Sequence, residues 1–153
     1  MGVNRQRLAA EIRTGSSLLV DTCVLIAYLE GNQHITDAAT LIIDEWVYTG
    51  RNSAFVSAIS VMELLVAPLK RDRAVTAYMD FLQRFPNTQC VPVDIAVAQQ
   101  AAILRARHNL RSPDALIVGT AVAAGADAIV TNDHSWSKLT TSRIVTLGDY
   151  ALG

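Results

Sequence analysis

Short, unbroken apolar runs alternate with helical spacings along the whole of this chain. The runs are Leu18-Leu19-Val20, Ala54-Phe55-Val56-Ser57, Cys90 to Val93, Ala128-Ile129-Val130-Thr131 and Arg143 to Leu147. They lack the strict in–out alternation of a strand with one wet face, so they suit strands covered on both sides. Helical patterns fill the intervals. Val24 to Glu30 is closed by Gly31, and Thr36 to Tyr48 spaces Ala39, Ile42, Ile43, Trp46 and Val47 on one face before Gly50. Ser60 reads as an N-cap with Glu63 three residues on, in a helix that stops near Pro68. Arg71 to Phe85 puts Val75, Tyr78, Met79 and Leu82 on one face, and Asp94 to Leu110 is Ala-rich. Ser112-Pro113 opens the last long helix as a cap followed by proline at the first helical position, and that helix ends at Gly125. Pro92 confines its strand to an edge of the sheet. Strands joined in this way by helices make an α/β domain around a mostly parallel sheet of about five strands.

At 153 residues the chain has the length of one domain, and 51% hydrophobic against 18% charged residues excludes a disordered tail. The mean hydropathy of +0.27 raises the question of a membrane. The longest apolar stretch, Ala115 to Ala126 between Asp114 and Asp127, is well short of the roughly 20 residues that span a bilayer. The N-terminal MGVNRQRLAAEIRTG is broken by Glu11 and Arg13 and is not a secretory signal, and Gln6 argues against myristoylation. Cys23 and Cys90 form no CxxC pair, which leaves no disulfide framework or zinc site and makes a reducing cytoplasm the expected compartment.

Four carboxylates fall where strands end. Asp21 closes the first strand, Glu63 lies in the first turn after the second, Asp114 in the first turn after Ser112-Pro113, and Asp133 just beyond Thr131. Each has a plain structural role open to it: Glu63 in a capping box, Asp114 against a helix dipole, Asp21 and Asp133 as N-caps. Together they point further. The C-terminal ends of parallel strands share one edge, where open α/β sheets place their sites. Carboxylates brought within a few ångströms repel, and a divalent cation relieves the repulsion. An all-oxygen set without His or Cys suits Mg²⁺ or Mn²⁺, and such an ion suits phosphoester hydrolysis. No G-x-S-x-G elbow or Walker loop is present. A haloacid-dehalogenase-like phosphatase would need an acid two residues after Asp21, where Cys23 stands.

The segments LLVDTCVLIAYL, SAISVMELL and SPDALIVGTAVAAGADAIVTND, with Trp136 behind them, resemble the PIN domain, and within it the VapC-type toxin ribonucleases of toxin–antitoxin pairs. The resemblance runs from Leu18 to Leu147, which makes residues 18–150 the PIN domain and 1–17 an N-terminal extension. It implies a three-layer α/β fold and a Mg²⁺- or Mn²⁺-dependent endoribonuclease leaving 5′-phosphate and 3′-hydroxyl ends. Asp21 and Asp114 would be the principal metal ligands, with Glu63 and Asp133 completing the pocket through metal-bound water and Thr22, Thr131 and Asn132 lining it. A homodimer held inactive by an antitoxin is the implied assembly. The alternative is a non-catalytic PIN-like scaffold that binds RNA or protein. Cys23 departs from the family, which commonly has Asn or Ser there.

Net charge is −1, from 13 basic and 14 acidic residues. With the four pocket acids set aside, 10 acids remain against the 13, so the rest of the domain carries +3, compatible with an RNA-facing surface. Arg105, Arg107, His108 and Arg111 precede Asp114, and Lys70, Arg71 and Arg73 follow the Glu63 helix. These groups are the candidate phosphate contacts, Arg71, Arg105, Arg107 and Arg111 foremost. The double variant Arg107→Ala/Arg111→Ala is expected to weaken RNA binding and flatten its salt dependence. A salt titration by fluorescence anisotropy checks this, and an unchanged slope would exclude both arginines.

Overall fold

In the computed structural model, which describes residues 2–153, the chain forms the expected three-layer α/β domain. A two-residue strand β1 (Gly2–Val3) leads into α1 (Arg5–Glu11), capped by Asn4, whose Oδ1 accepts the Arg7 N–H at 3.1 Å. Strand β2 (Ser17–Val20) runs into α2 (Thr22–Glu30), which Gly31 ends at φ 70°. Next comes α3 (Thr36–Thr40), whose chain continues through wider π-helical turns over Leu41–Val47. Strand β3 (Ser53–Ser57), α4 (Ala58–Lys70) and α5 (Thr76–Arg84) follow. Then come β4 (Thr88–Val91), α6 (Ile95–His108), α7 (Ser112–Ala124) and β5 (Ala128–Thr131). A 3₁₀ segment at His134–Lys138, β6 (Arg143–Thr146), a 3₁₀ turn at Leu147–Tyr150 and β7 (Ala151–Leu152) complete the chain.

The main sheet has the order β4-β3-β2-β5-β6, and every pairing in it is parallel. Strand β2 is central. The chain builds outward from it on one side through β3 and β4, then returns to its other side with β5 and β6. The order of building therefore reverses between β2 and β5, the kind of crevice where open α/β sheets bind ligands. Alternate residues explain the apolar runs. Leu18, Val20, Ala54, Val56, Ala128 and Val130 pack into the layer built by α1, α2, α3 and the Leu41–Val47 turns. Leu19 and Ile129 face the opposite layer, with Leu104, Ile117, Val118 and Trp136. Each buried leucine contributes roughly 1.5–3 kcal/mol, so a polar residue on either face would be costly.

The N-terminal segment is part of this packing. Leu8 and Ile12 are fully buried, and β1 pairs antiparallel with β7, which joins the two ends of the chain. Asn52, also buried, holds the turn before β2 by donating to the Arg13 and Ser16 carbonyls at 2.8 and 3.0 Å. Two-residue strands leave no periodicity to detect, so β1 and β7 were not foreseeable from pattern.

Several boundaries differ from expectation. The cap of α4 is Ser57, whose Oγ accepts the Ile59 N–H at 3.1 Å. Ser60 lies inside the helix and is buried, so there is no Ser60–Glu63 capping box, and Glu63 falls in the second turn. The helix runs through Pro68 to Lys70 and ends where Asp72 turns left-handed at φ 50°. A proline this near the end disrupts only the last turn. Helix α5 consequently starts at Thr76 rather than Arg71. At α7 the cap position is Arg111 and Ser112 is already helical, its hydroxyl occupied by the Arg105 guanidinium at 3.0 Å. Strand β4 ends before Pro92 and is an edge strand.

Helices α6 and α7 meet at a glycine. A Cβ on Gly119 would stand 3.0 Å from both the Ala101 amide nitrogen and the Val97 carbonyl oxygen. Gly→Ala inside a helix ordinarily stabilises by roughly 0.5–1 kcal/mol. Gly119→Ala is expected to destabilise by about 1 kcal/mol or more instead, because backbone of a packed neighbour must give way. Guanidinium unfolding of the two proteins measures the sign.

Candidate active site

The parallel sheet brings the ends of β2, β3 and β5 to one edge, and Asp21 stands at the middle of it. The carboxylate caps α2: Oδ1 accepts the Thr22 N–H at 2.7 Å. Its other oxygen, Oδ2, accepts the Thr131 hydroxyl at 2.7 Å and the Cys23 thiol at 3.3 Å. Asp21 is 6% exposed, and no cationic side chain forms an ion pair with it among the described residues. Burial raises its pKa above the ordinary carboxylate value. The hydrogen bonds from Thr131, Cys23 and Thr22 oppose that rise, and the charge of Asp114 adds to it.

The other acids connect to Asp21 through its neighbours. Thr22 Oγ1 stands 2.8 Å from both Glu63 Oε1 and Ser60 Oγ. With one proton to give, it donates to the charged Glu63. Thr131 Oγ1 accepts the Asp133 N–H at 3.0 Å while donating to Asp21, so one hydroxyl joins the first acid to the last acid's turn. The Asp133 carboxylate caps the 3₁₀ segment, accepting the Ser135 N–H at 2.9 Å and the Ser135 hydroxyl at 2.6 Å. Asn132 Oδ1 accepts the Gly148 N–H at 3.0 Å, and a Cβ on Gly148 would stand 2.8 Å from that oxygen.

Asp114 lies in the first turn of α7 with its carboxylate 20% exposed, and Oδ2 accepts both the Nε and an Nη of Arg111 at 3.4 Å. Its charge is felt at Asp21, but its ion pair is with Arg111. Among the described residues, no three His, Cys, Asp or Glu side chains stand close enough to hold a metal ion together. What the edge offers a cation is a set of hard oxygens and a buried carboxylate with no cationic partner. That chemistry fits Mg²⁺ or Mn²⁺ rather than a soft metal.

Sequence reasoning missed three participants. Ser57 and Ser60 are buried beside this edge, and Ser60 shares a helix face with Glu63 because residues three apart do so. That spacing is also the capping-box spacing, which is why it misled. Cys23 is neither a surface thiol nor only a packing residue: Sγ accepts the Asn132 N–H at 3.4 Å in addition to donating to Asp21. Burial, and then the Asp21 charge, push its pKa up to about 12, so it stays a neutral thiol.

The basic residues divide. Arg105 is tied to the α6–α7 corner through the Leu110 carbonyl at 3.1 Å and Ser112. Arg111 sits on Asp114, and Arg107 is exposed near the end of α6. Arg71 lines a concavity of about 410 Å³ between the far ends of α2 and α4, with Arg73, Tyr78 and Glu30. His134 lies 3.4 Å from Asp149 rather than at an acid of the pocket. Trp46 is buried, whereas Tyr48 beside it is exposed.

The family model of the PIN domain matches residues 18–141. The chain belongs to the PIN domain family. Solved structures carry the same fold. A toxin–antitoxin complex from Klebsiella pneumoniae superposes with a TM-score of 0.66 at 22% identity, covering 88% of this PIN protein and 99% of that chain. VapC20 of Mycobacterium tuberculosis, described as a sarcin–ricin loop cleaving toxin, gives 0.61 at 16% identity over 82% and 98%. DNA-bound VapBC from Salmonella typhimurium gives 0.60 at 20% over 86% and 98%. Comparison with curated proteins gives no match.

The buried charge of this PIN domain has a measurable consequence. The Asp21 pKa is higher folded than unfolded, so folding favours the protonated carboxyl. Its ionisation costs nothing below the unfolded value and lowers stability as pH rises through the folded one. Asp21→Asn removes that charge and keeps a capping oxygen. In divalent-free buffer the variant is expected to be more stable than wild type at about pH 7, with the gap closing toward about pH 3. Urea unfolding at both pH values gives the comparison.

Proposed function

We propose that this PIN domain is a Mg²⁺- or Mn²⁺-dependent endoribonuclease that hydrolyses RNA phosphodiester bonds, and that it is the toxin of a VapC-type toxin–antitoxin pair. One observation carries the catalytic part. A buried carboxylate without a counter-cation among the described residues, Asp21, sits at the switch point of a parallel sheet, where Thr22, by its amide and its hydroxyl, links it to Glu63 and the Thr131 hydroxyl links it to the Asp133 turn. Burying an ionised carboxylate is expensive unless something compensates it. The toxin part is supported by the kind of protein that shares the fold, toxin–antitoxin complexes and an RNA-cleaving toxin.

Asp21 and Asp114 would hold the cation, with Glu63 and Asp133 acting through its water shell. Bound there, a divalent ion polarises a phosphoryl oxygen and lowers the pKa of a water nucleophile. The surrounding side chains do the positioning. Thr131 and the Thr22 amide fix the two oxygens of Asp21, Thr22 Oγ1 fixes Glu63, and Asn132 fixes the Gly148 turn. Arg111 stands at the rim on Asp114, where its fork suits a phosphate. The antitoxin, a homodimer and a cytoplasmic setting belong to the same reading. No helix among the described residues is long and apolar enough to cross a membrane.

A second reading has an observation of its own. The Asp114–Arg111 ion pair and the lack of a three-ligand cluster among the described residues favour a non-catalytic PIN-like RNA- or protein-binding scaffold. Asp21→Asn and Asp114→Asn separate the two. Under the nuclease reading each lowers Mg²⁺-dependent RNA cleavage by about a hundredfold or more, the rate equivalent of about 3 kcal/mol or more, while circular dichroism stays native. Sequencing of RNA ends after induction should show new 5′-phosphate ends with wild type and none with Asp21→Asn. Equal end profiles would leave the scaffold.

A further inference from the structure

Besides the Thr131 hydroxyl, the network around Asp21 contains a sulfur that both gives and takes a hydrogen bond across two segments far apart in the chain. Cys23 occupies the second position of α2, and its Sγ lies 3.3 Å from Asp21 Oδ2, 3.4 Å from the Asn132 nitrogen and 3.9 Å from Thr131 Oγ1. A thiol donates one proton and accepts weakly, as a hydroxyl does over a shorter distance. We propose that Cys23 is a positioning residue: its thiol fixes the rotation of the Asp21 carboxylate and ties it to the Asn132–Asp133 turn.

The geometry supports this in three ways. Asp21 Oδ1 is held by its own helix, so the free rotation of the carboxylate is governed by what holds Oδ2. Thr131 alone gives Oδ2 a single anchor, and Thr131 also serves the Asp133 N–H. The Cys23 thiol adds a second anchor from a different direction. Its sulfur also takes up the Asn132 N–H, whose residue in turn grips Gly148. One side chain on α2 therefore sets the spacing between the end of β2 and the turn after β5. Serine has the same donor and acceptor in the same place on a shorter bond, whereas alanine has neither.

That the positioned carboxylate serves RNA cleavage rests on the reading above, so the test has readouts inside and outside that reading. Full-length wild type, Cys23→Ala and Cys23→Ser are compared after circular dichroism has shown all three folded. The first readout is hydrogen exchange of the Asn132 amide by NMR, which needs no activity. The second is Mn²⁺ affinity by calorimetry, and the third is kcat and KM for RNA cleavage. Cys23→Ala is expected to lower Asn132 amide protection and to weaken Mn²⁺ binding about tenfold, the low end for residues that orient metal ligands. It should lower kcat rather than raise KM. Cys23→Ser should restore amide protection and bring Mn²⁺ affinity to within about threefold of wild type. An Asn132 amide unmoved in Cys23→Ala, or a serine variant indistinguishable from the alanine one, overturns the proposal. If the amide responds as expected while wild type neither binds Mn²⁺ nor cuts RNA, the ribonuclease reading fails and the positioning role stands.

Discussion

Strand β2 has no wet face. Leu18 and Val20 are buried against one helical layer and Leu19 against the other, so the strand is fixed in the middle of the sheet with its register locked on both sides. The placement of every other element follows from that. Strands β3 and β5 must flank it in parallel, their connecting helices must cover the two faces, and the residues after each strand must emerge at one edge. A slip of one residue would exchange the two faces of β2 and place Asp21 elsewhere. The acidic edge is a consequence of how three hydrophobic residues are buried.

That edge carries an electrostatic load. Asp21 is buried with its charge opposed only by neutral donors, and Asp114 adds a like charge nearby. The fold answers with fixed hydroxyls, an amide and a thiol rather than with a lysine or arginine. Neutral donors stabilise a carboxylate without occupying the role of a cation, which leaves the residual charge available to one. Arg111 is the cationic side chain set against this edge, and it takes Asp114, the more accessible of the two acids. Capping and site-building are also carried by the same atoms. Asp21 caps α2 and Asp133 caps the His134–Lys138 segment while both belong to the network of this edge. Capping a helix and belonging to this network are therefore compatible roles for one carboxylate.

The pattern of apolar runs made the α/β class, the parallel sheet and the ends of most elements legible before any coordinates. Gly31 and Gly125 end their helices as expected because both adopt φ near 70°, a conformation that side chains with a Cβ disfavour. Local rules failed where a residue's partner lies outside its own helix or strand. Ser60 looked like a cap because Glu63 follows three residues later, yet its hydroxyl faces Thr22, 38 residues distant. Ser112 looked like a cap because Pro113 follows, yet its hydroxyl serves Arg105. Arg105, a candidate phosphate contact by its charge, also braces the α6–α7 corner, which its charge alone did not indicate.

The sequence by itself determined the kind of layers, the strand ends that carry Asp21 and Asp133, the helices that carry Glu63 and Asp114, and through these motifs the membership in the PIN family. Those facts reside in periodicity and in short motifs, which are local. Tertiary structure alone decided how three of the acids relate: Asp21 buried and bridged by Thr131 to the Asp133 turn, and Glu63 reached through Thr22. It also decided that Cys23 joins the network and that Gly119 lets two helices touch. Each of these depends on which elements lie side by side, and that is set by packing both faces of one sheet rather than by any single segment.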